Sequence, residues 1–368
     1  MNAPAITTHK MSLYEPYAVG GLSLRNRLVM NPMTRSRSNE AGLANALIAE
    51  YYSQRASAGL IITEGTAPSA DGRGYANTPG LWNQAQTDSW RQVTQAVHAK
   101  GGRIFAQLMH TGRIAHVSNL PRGAEVVAPS AIQAPGKMNA GPLGRQDHSM
   151  PRAMDGADVL AAQAAFVQAA VNAIAAGFDG VELHAANGYL MEQFLSPHTN
   201  RRTDAWGGSV ENRIRFVVET AREVVAAVGK DKVGIRFSPY GALGGMLPYP
   251  EVEETYNSLA ARLDEAGLAY LHIADHSSMG APPVPLSLKQ SMRKAFGGTF
   301  LVGGSFDSKS AKQALDSGLV DLIGVGRGFL ANPDLVERWQ QELPLNVPDS
   351  ETFYTPGAKG YIDYPLAS

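Results

Sequence analysis

Two short runs in the last fifth of the chain, Val302-Gly303-Gly304-Ser305 and Gly324-Val325-Gly326-Arg327, have the composition of an anion cradle. Glycine lets backbone N–H groups approach an oxyanion, the N-terminus of a following helix adds positive dipole, and Arg327 can grip a phosphate through two parallel hydrogen bonds. Either run alone is more often a tight structural turn; their repetition points to phosphate. A second cluster lies within six residues, His184-Ala185-Ala186-Asn187-Gly188-Tyr189. It joins an imidazole, an amide and a phenol, groups that donate hydrogen bonds and exchange protons. Out of context, His184 reads as a satisfied interior histidine and Tyr189 as a loop aromatic. Asn31-Pro32-Met33-Thr34-Arg35, Gln107, His110 and Arg236 are further polar groups set in or just after apolar runs, where they need partners.

These residues share one place in the pattern: each closes a short apolar run. Eight such runs, rich in Val, Ile, Leu and Phe, are expected strands: 28–34, 60–65, 103–110, 180–187, 233–239, 270–275, 299–305 and 322–327. Helix-like stretches separate them. One is 158–175, where Leu160, Val167, Val171 and Ile174 recur at a spacing that predicts a buried stripe. Ala176-Gly177 and Ala266-Gly267 predict helix stops at left-handed glycines. The repetition predicts a (β/α)₈ TIM barrel spanning residues 1–368 as a single domain, with chemistry gathered where the strands end. Val19–Arg25, with Gly20-Gly21, predicts a hairpin that plugs the barrel floor. The Pro/Gly-rich stretch 111–154 follows the third strand and is expected to be a lid or pocket wall, the alternative being a disordered surface loop. Tyr354, Tyr361 and Tyr364 suggest that the irregular tail packs rather than frays.

Composition narrows the chemistry. Across 368 residues, 44% are hydrophobic and 18% charged, enough for a core without staples. Lys+Arg at 32 against Asp+Glu at 33 leaves a charge of -1, so neither nucleic acid nor an anionic membrane is an expected partner. With no cysteine, a disulfide, a thiolate nucleophile and a Cys-ligated zinc or iron–sulfur site are excluded. No metal is expected. Residues 1–10 lack the apolar core of a leader, and no uninterrupted apolar run approaches about 20 residues, so a cytoplasmic location is the expectation.

Four motifs together, Asn31–Arg35, Gln107-Leu108-Met109-His110-Thr111-Gly112-Arg113, His184–Tyr189 and Asn200–Ser209, resemble the Old Yellow Enzyme family from about Leu13 to Tyr364. Members of that family include reductases of maleimides, nitrate esters and related xenobiotics. The resemblance implies non-covalent FMN, NADH or NADPH as reductant, and an electron-poor alkene as substrate, in a monomer or homodimer. It places Pro32, Met33, Thr34 and Gly65 along the flavin, Gln107 at its pyrimidine end, Arg236 near N1 and O2, and the phosphate on Gly304, Ser305, Gly326 and Arg327. His184 and Asn187 would bind the substrate oxygen and Tyr189 would supply the proton. Tyr75, Met109 and Tyr354 would line the substrate cavity. Met109 departs from the tryptophan common at this place, which implies a reshaped pocket. The arginines of 200–213, Asp204 and Ser209 are expected to brace a loop and cap a helix.

Competing enzyme classes lack their residues. A Schiff-base aldolase needs a lysine at a strand's C-terminal end, but Lys232 precedes the fifth strand; a metal hydrolase needs a His-x-His pair, and none occurs. The cysteine-free chain and its short tail also speak against the multidomain iron–sulfur relatives. Thr34 departs from the subgroup with cysteine beside the flavin. A flavin store would keep the phosphate site but has no use for His184, Asn187 and Tyr189.

Overall fold

Runs rich in β-branched and other apolar residues form the barrel strands, which are buried on both faces. A computed structural model describes residues 12–367; the stretch 1–10, read above for a leader, lies outside them. In chain order come β1 (Tyr17–Val19) and β2 (Leu22–Leu24), an antiparallel hairpin, then β3 (Leu28–Met30), β4 (Leu60–Ile62) and β5 (Ile104–Leu108). The segment after β5 carries β6 (Val127–Ala128), β7 (Lys137–Asn139), β8 (Arg145–Asp147) and β9 (Arg152–Ala153). The remaining strands are β10 (Gly180–Ala185), β11 (Val233–Phe237), β12 (Tyr270–Ala274), β13 (Thr299–Gly304) and β14 (Leu322–Val325). Parallel pairing in the order β3, β4, β5, β10, β11, β12, β13, β14 closes the barrel, with β14 returning to β3 through Ile323–Leu28, Gly324–Val29 and Val325–Met30. A helix follows every barrel strand, which is the expected (β/α)₈ architecture.

The period of two sorts each strand's side chains. Leu28, Ile61, Leu183, Ile235, Leu271 and Ile323 face the helices. Val29, Leu60, Phe105, Tyr270, Leu301 and Leu322 fill the interior together with Val19 and Leu24 of the hairpin, which therefore plugs one end. One layer further along the same inward positions the residues are polar: Gln107, Glu182, His184, Arg236 and His272 are all buried. Apolar floor and polar ceiling thus come from the same alternation.

Gly234 shows how tightly this interior is filled. It lies in register between Glu182 and Tyr270, and a Cβ there would stand 2.1 Å from the Tyr270 ring. Alanine would gain roughly 0.5–1 kcal/mol of backbone entropy over glycine but overpack by about 1–3 kcal/mol. Gly234→Ala is therefore expected to lower the urea midpoint of unfolding, and a raised midpoint would show that the ring has room.

Two expectations need correction. The strands stop at Met30, Ile62, Leu108, Ala185, Phe237, Ala274, Gly304 and Val325, short of the expected ends, because their last residues leave the pleat to form the loops of the mouth. On the helix Gly156–Ala175, Leu160 and Val171 are exposed (57% and 40%), and Val159, Ala162, Phe166, Ala169, Ala170 and Ala173 face the barrel instead. Alanine lets the helix lie close to the sheet, so residue size misled the choice of stripe. By length and composition this helix alone, among the described residues, could cross a bilayer; here it is a layer of the barrel wall.

Other local readings hold. Gly177 (φ +92) and Gly267 (φ +72) stop their helices. Ser209 caps the helix Val210–Val228 by accepting from the Asn212 N–H, while Arg202 pairs with Asp204 at 2.5 Å. The 111–154 stretch is built rather than irregular throughout: β6 pairs with β9 and β7 with β8. Asn119 Nδ2 donates to Gly74 O at 3.1 Å and Arg113 Nη2 to Gly244 O at 3.1 Å, tying it to the loops at the strand ends.

Candidate active site

Where β10 leaves the barrel, Asn187 (φ +62) and Gly188 (φ +78) reverse the chain in the left-handed region, which asparagine reaches more readily than other non-glycine residues. The turn brings His184 Nε2 within 3.3 Å of Asn187 Nδ2 and sets the His184 and Tyr189 rings edge to face at 5.2 Å. A buried platform holds it. Glu192 accepts from Gly188 N–H (2.6 Å), Ser238 Oγ (3.0 Å) and Tyr256 Oη (3.0 Å), and Ser238 Oγ in turn accepts from Asn187 N–H at 2.8 Å. Gln193 Nε2 donates to Gly188 O at 2.7 Å and Thr111 O at 3.0 Å. Burial pushes the Glu192 carboxyl up to about 7 despite these donors.

Tyr75 meets the same corner, its hydroxyl 3.1 Å from that of Tyr189. Tyr354 is 66% exposed, yet near enough that its charge would disfavour ionisation of both phenols. Two buried arginines draw the tail there. Arg35 donates to Phe353 O (3.1 Å) and Gly360 O (2.6 Å), Arg37 to Thr352 O (2.8 Å) and Phe353 O (2.9 Å), and Tyr361 stacks on Tyr51 at 4.0 Å.

Charge in the mouth is set by burial. Desolvation, reinforced by the cationic Arg236, pushes the His184 imidazole well below its ordinary value, so it is a neutral donor. Desolvation, with Tyr75 beside it, pushes the Tyr189 phenol well above its own, so it keeps its proton. Arg236 lies opposite His184 in register and is 7% exposed. His110, by contrast, is structural: its Nδ1 accepts from Gly112 N–H at 3.1 Å, and burial pushes it down to about 3.

Buried polar atoms without partners mark where a ligand is expected. Arg236 Nε, His184 Nδ1, Asn187 Oδ1 and His276 Nδ1 are such atoms. Pro32, Met33 and Thr34 are partly exposed just beyond β3, and Gly65 and Gln107 are buried just beyond β4 and in β5. At Gly304 and Gly326 a Cβ would meet nothing closer than 3.6 Å, leaving room over both turns, and exposed Arg327 opens the helix Arg327–Ala331. These groups suit a planar, polar-edged ring carrying a phosphate. One detail of the phosphate reading is corrected: the helix Ser308–Asp316 after β13 is capped by its own Asp307, which accepts from Ser310 N–H at 2.7 Å. The helix Arg327–Ala331 after β14 has no such side-chain cap, so a phosphate would rest on that helix end, the glycine amides and Arg327.

Met109 is only 3% exposed, with its thioether against Gly65, where a Cβ would come 2.4 Å from the sulfur. Sequence reading passed over Glu182, Glu192, Ser238, His272 and His276. Glu182 carried a signal: it stands two residues before His184 in an apolar strand and so shares its inward face.

Residues 12–346 match the family described as NADH:flavin oxidoreductase / NADH oxidase. The chain belongs to this family, the Old Yellow Enzyme family of FMN-dependent oxidoreductases that draw on NAD(P)H and act on alkenes. Among its relatives, the chanoclavine-I aldehyde reductase of Penicillium roqueforti is 42% identical, across 97% of this chain and 96% of its own. A Leishmania infantum protein named "Probable flavin mononucleotide-dependent alkene reductase" is 40% identical, across 96% and 97%. The solved structure of morphinone reductase superposes with a TM-score of 0.93 at 43% identity, covering 98% of each chain.

Proposed function

We propose that this enzyme reduces enones, maleimides and nitroalkenes, with nitrate esters as a further class, in a ping-pong cycle driven by NADH or NADPH. When bound, FMN would supply the hydride chemistry that links coenzyme oxidation to reduction at the β-carbon of the alkene. Pro32, Met33, Thr34, Gly65, Gln107 and Arg236 would hold its ring, and Gly304, Ser305, Gly326 and Arg327 its phosphate. His184 and Asn187 bind the substrate's carbonyl or nitro oxygen as neutral donors, which draws electron density from the β-carbon. Tyr189 holds a proton for the α-carbon. Tyr75, Met109 and Tyr354 wall the pocket, and residues 111–154 rim it as part of the one domain 1–368. A monomer or homodimer in the cytoplasm, without nucleic acid or membrane partner, goes with this reading.

The observation that carries it is the meeting of His184, Asn187 and Tyr189 within one turn, beside a buried Arg236 whose Nε has no partner. The purified protein is expected to be yellow, to release FMN on denaturation, to bleach with NADH or NADPH and to recolour with N-ethylmaleimide or 2-cyclohexenone. A protein that takes up no FMN, or that recolours only in air, would overturn the proposal.

A further inference from the structure

Below the mouth, enclosed on all sides, lies a carboxylate to which the reaction just described gives no part. Glu182 is 0% exposed and stands opposite Gln107 in the register of β10 and β5. Its Oε1 accepts from Gln107 Nε2 at 2.8 Å; its Oε2 accepts from Tyr270 Oη at 3.0 Å and from His272 Nδ1–H at 2.8 Å. Tyr270 reaches it from two strands away, over Gly234, the residue without a side chain between them. A site that places glycine so that a phenol can cross a strand is built around its carboxylate.

Two consequences follow from the chemistry of that group. An ionised carboxylate only accepts hydrogen bonds, so Gln107 must give it the NH₂ and keep its carbonyl oxygen for the mouth. Burial alone would raise the Glu182 carboxyl, but His272 and Arg236 hold it below its ordinary value, so it is a standing negative charge. We propose that Glu182 is a positioning residue: it fixes which atom of Gln107 meets the ligand and opposes the build-up of negative charge in a ring bound above it. The inference rests on the reading that FMN lies across the mouth with Gln107 and Arg236 at its pyrimidine end.

Glu182→Gln keeps the shape, removes the charge and frees the Gln107 amide to turn over. With the FMN-loaded enzyme, the reduction potential is expected to rise, moving the oxidised-to-reduced equilibrium roughly tenfold toward reduced flavin. That is the order expected for one charge about 10 Å away at an effective dielectric of about 20. An unchanged potential would sink the proposal. Should E182Q not fold, Glu182→Asp decides: the charge stays and the reach to Gln107 shortens, so FMN should dissociate more readily at an unchanged potential, and equal FMN affinity would count against the role. Failure of the underlying reading looks different, since wild-type protein would then take up no FMN or, once loaded, transfer no hydride to an enone.

Discussion

Replacing Tyr189 with phenylalanine is expected to slow recolouring of the reduced enzyme by 2-cyclohexenone about 10²–10⁴-fold while bleaching by NAD(P)H proceeds nearly as before. The split follows from position. The phenol faces Tyr75 and His184, where the α-carbon would lie, and nothing in coenzyme oxidation requires a proton from it. Because burial holds Tyr189 well above the ordinary tyrosine value of 10.0, the acid is present throughout the neutral range, and the wild-type alkene step should show no tyrosine titration below about pH 10. Stopped-flow measurement of the two half-reactions checks both statements. Equal slowing of the two would remove the assigned role.

The second large effect belongs to His184→Ala. On the proposed reading, one of two donors to the substrate oxygen is then lost, a deletion that costs roughly 10²–10³ in rate at comparable sites. Phenols, which present an oxyanion where the enolate oxygen would sit, should bind more weakly, seen as a fainter charge-transfer band at fixed ligand. Since burial depresses the imidazole below its ordinary 6.5, it is uncharged above that value, and wild-type phenol affinity should not fall as pH rises from 6.5 through loss of a histidine proton. Unchanged phenol affinity in the variant would place the oxygen elsewhere.

Most of the barrel was legible because its signals are local. Alternating apolar runs, left-handed glycines and the hairpin expected at 19–25 needed no knowledge of distant contacts, and the polar residues closing each run marked the mouth. What escaped depended on packing between elements. Leu160 and Val171 look like core until alanines are seen to bring their helix against the strands. Asp307 was not singled out, although it caps the helix that follows the first of the two glycine runs. Glu182 and His272 sit on different strands, and only the closed barrel brings them together at 2.8 Å. Arg37 gave no sign in sequence that its partners lay more than 300 residues on.

That last pairing bears on how the enzyme comes into being. Six guanidinium-to-carbonyl bonds from Arg35 and Arg37 secure residues 352–360, and Tyr354 rides on that segment beside Tyr75 and Tyr189. A chain still emerging from the ribosome could close its barrel before this wall exists. On the proposed reading the last wall of the pocket is therefore set after the barrel, and clipping ahead of residue 352, which strips acceptors from the buried Arg35 and Arg37, should alter which alkenes are accepted.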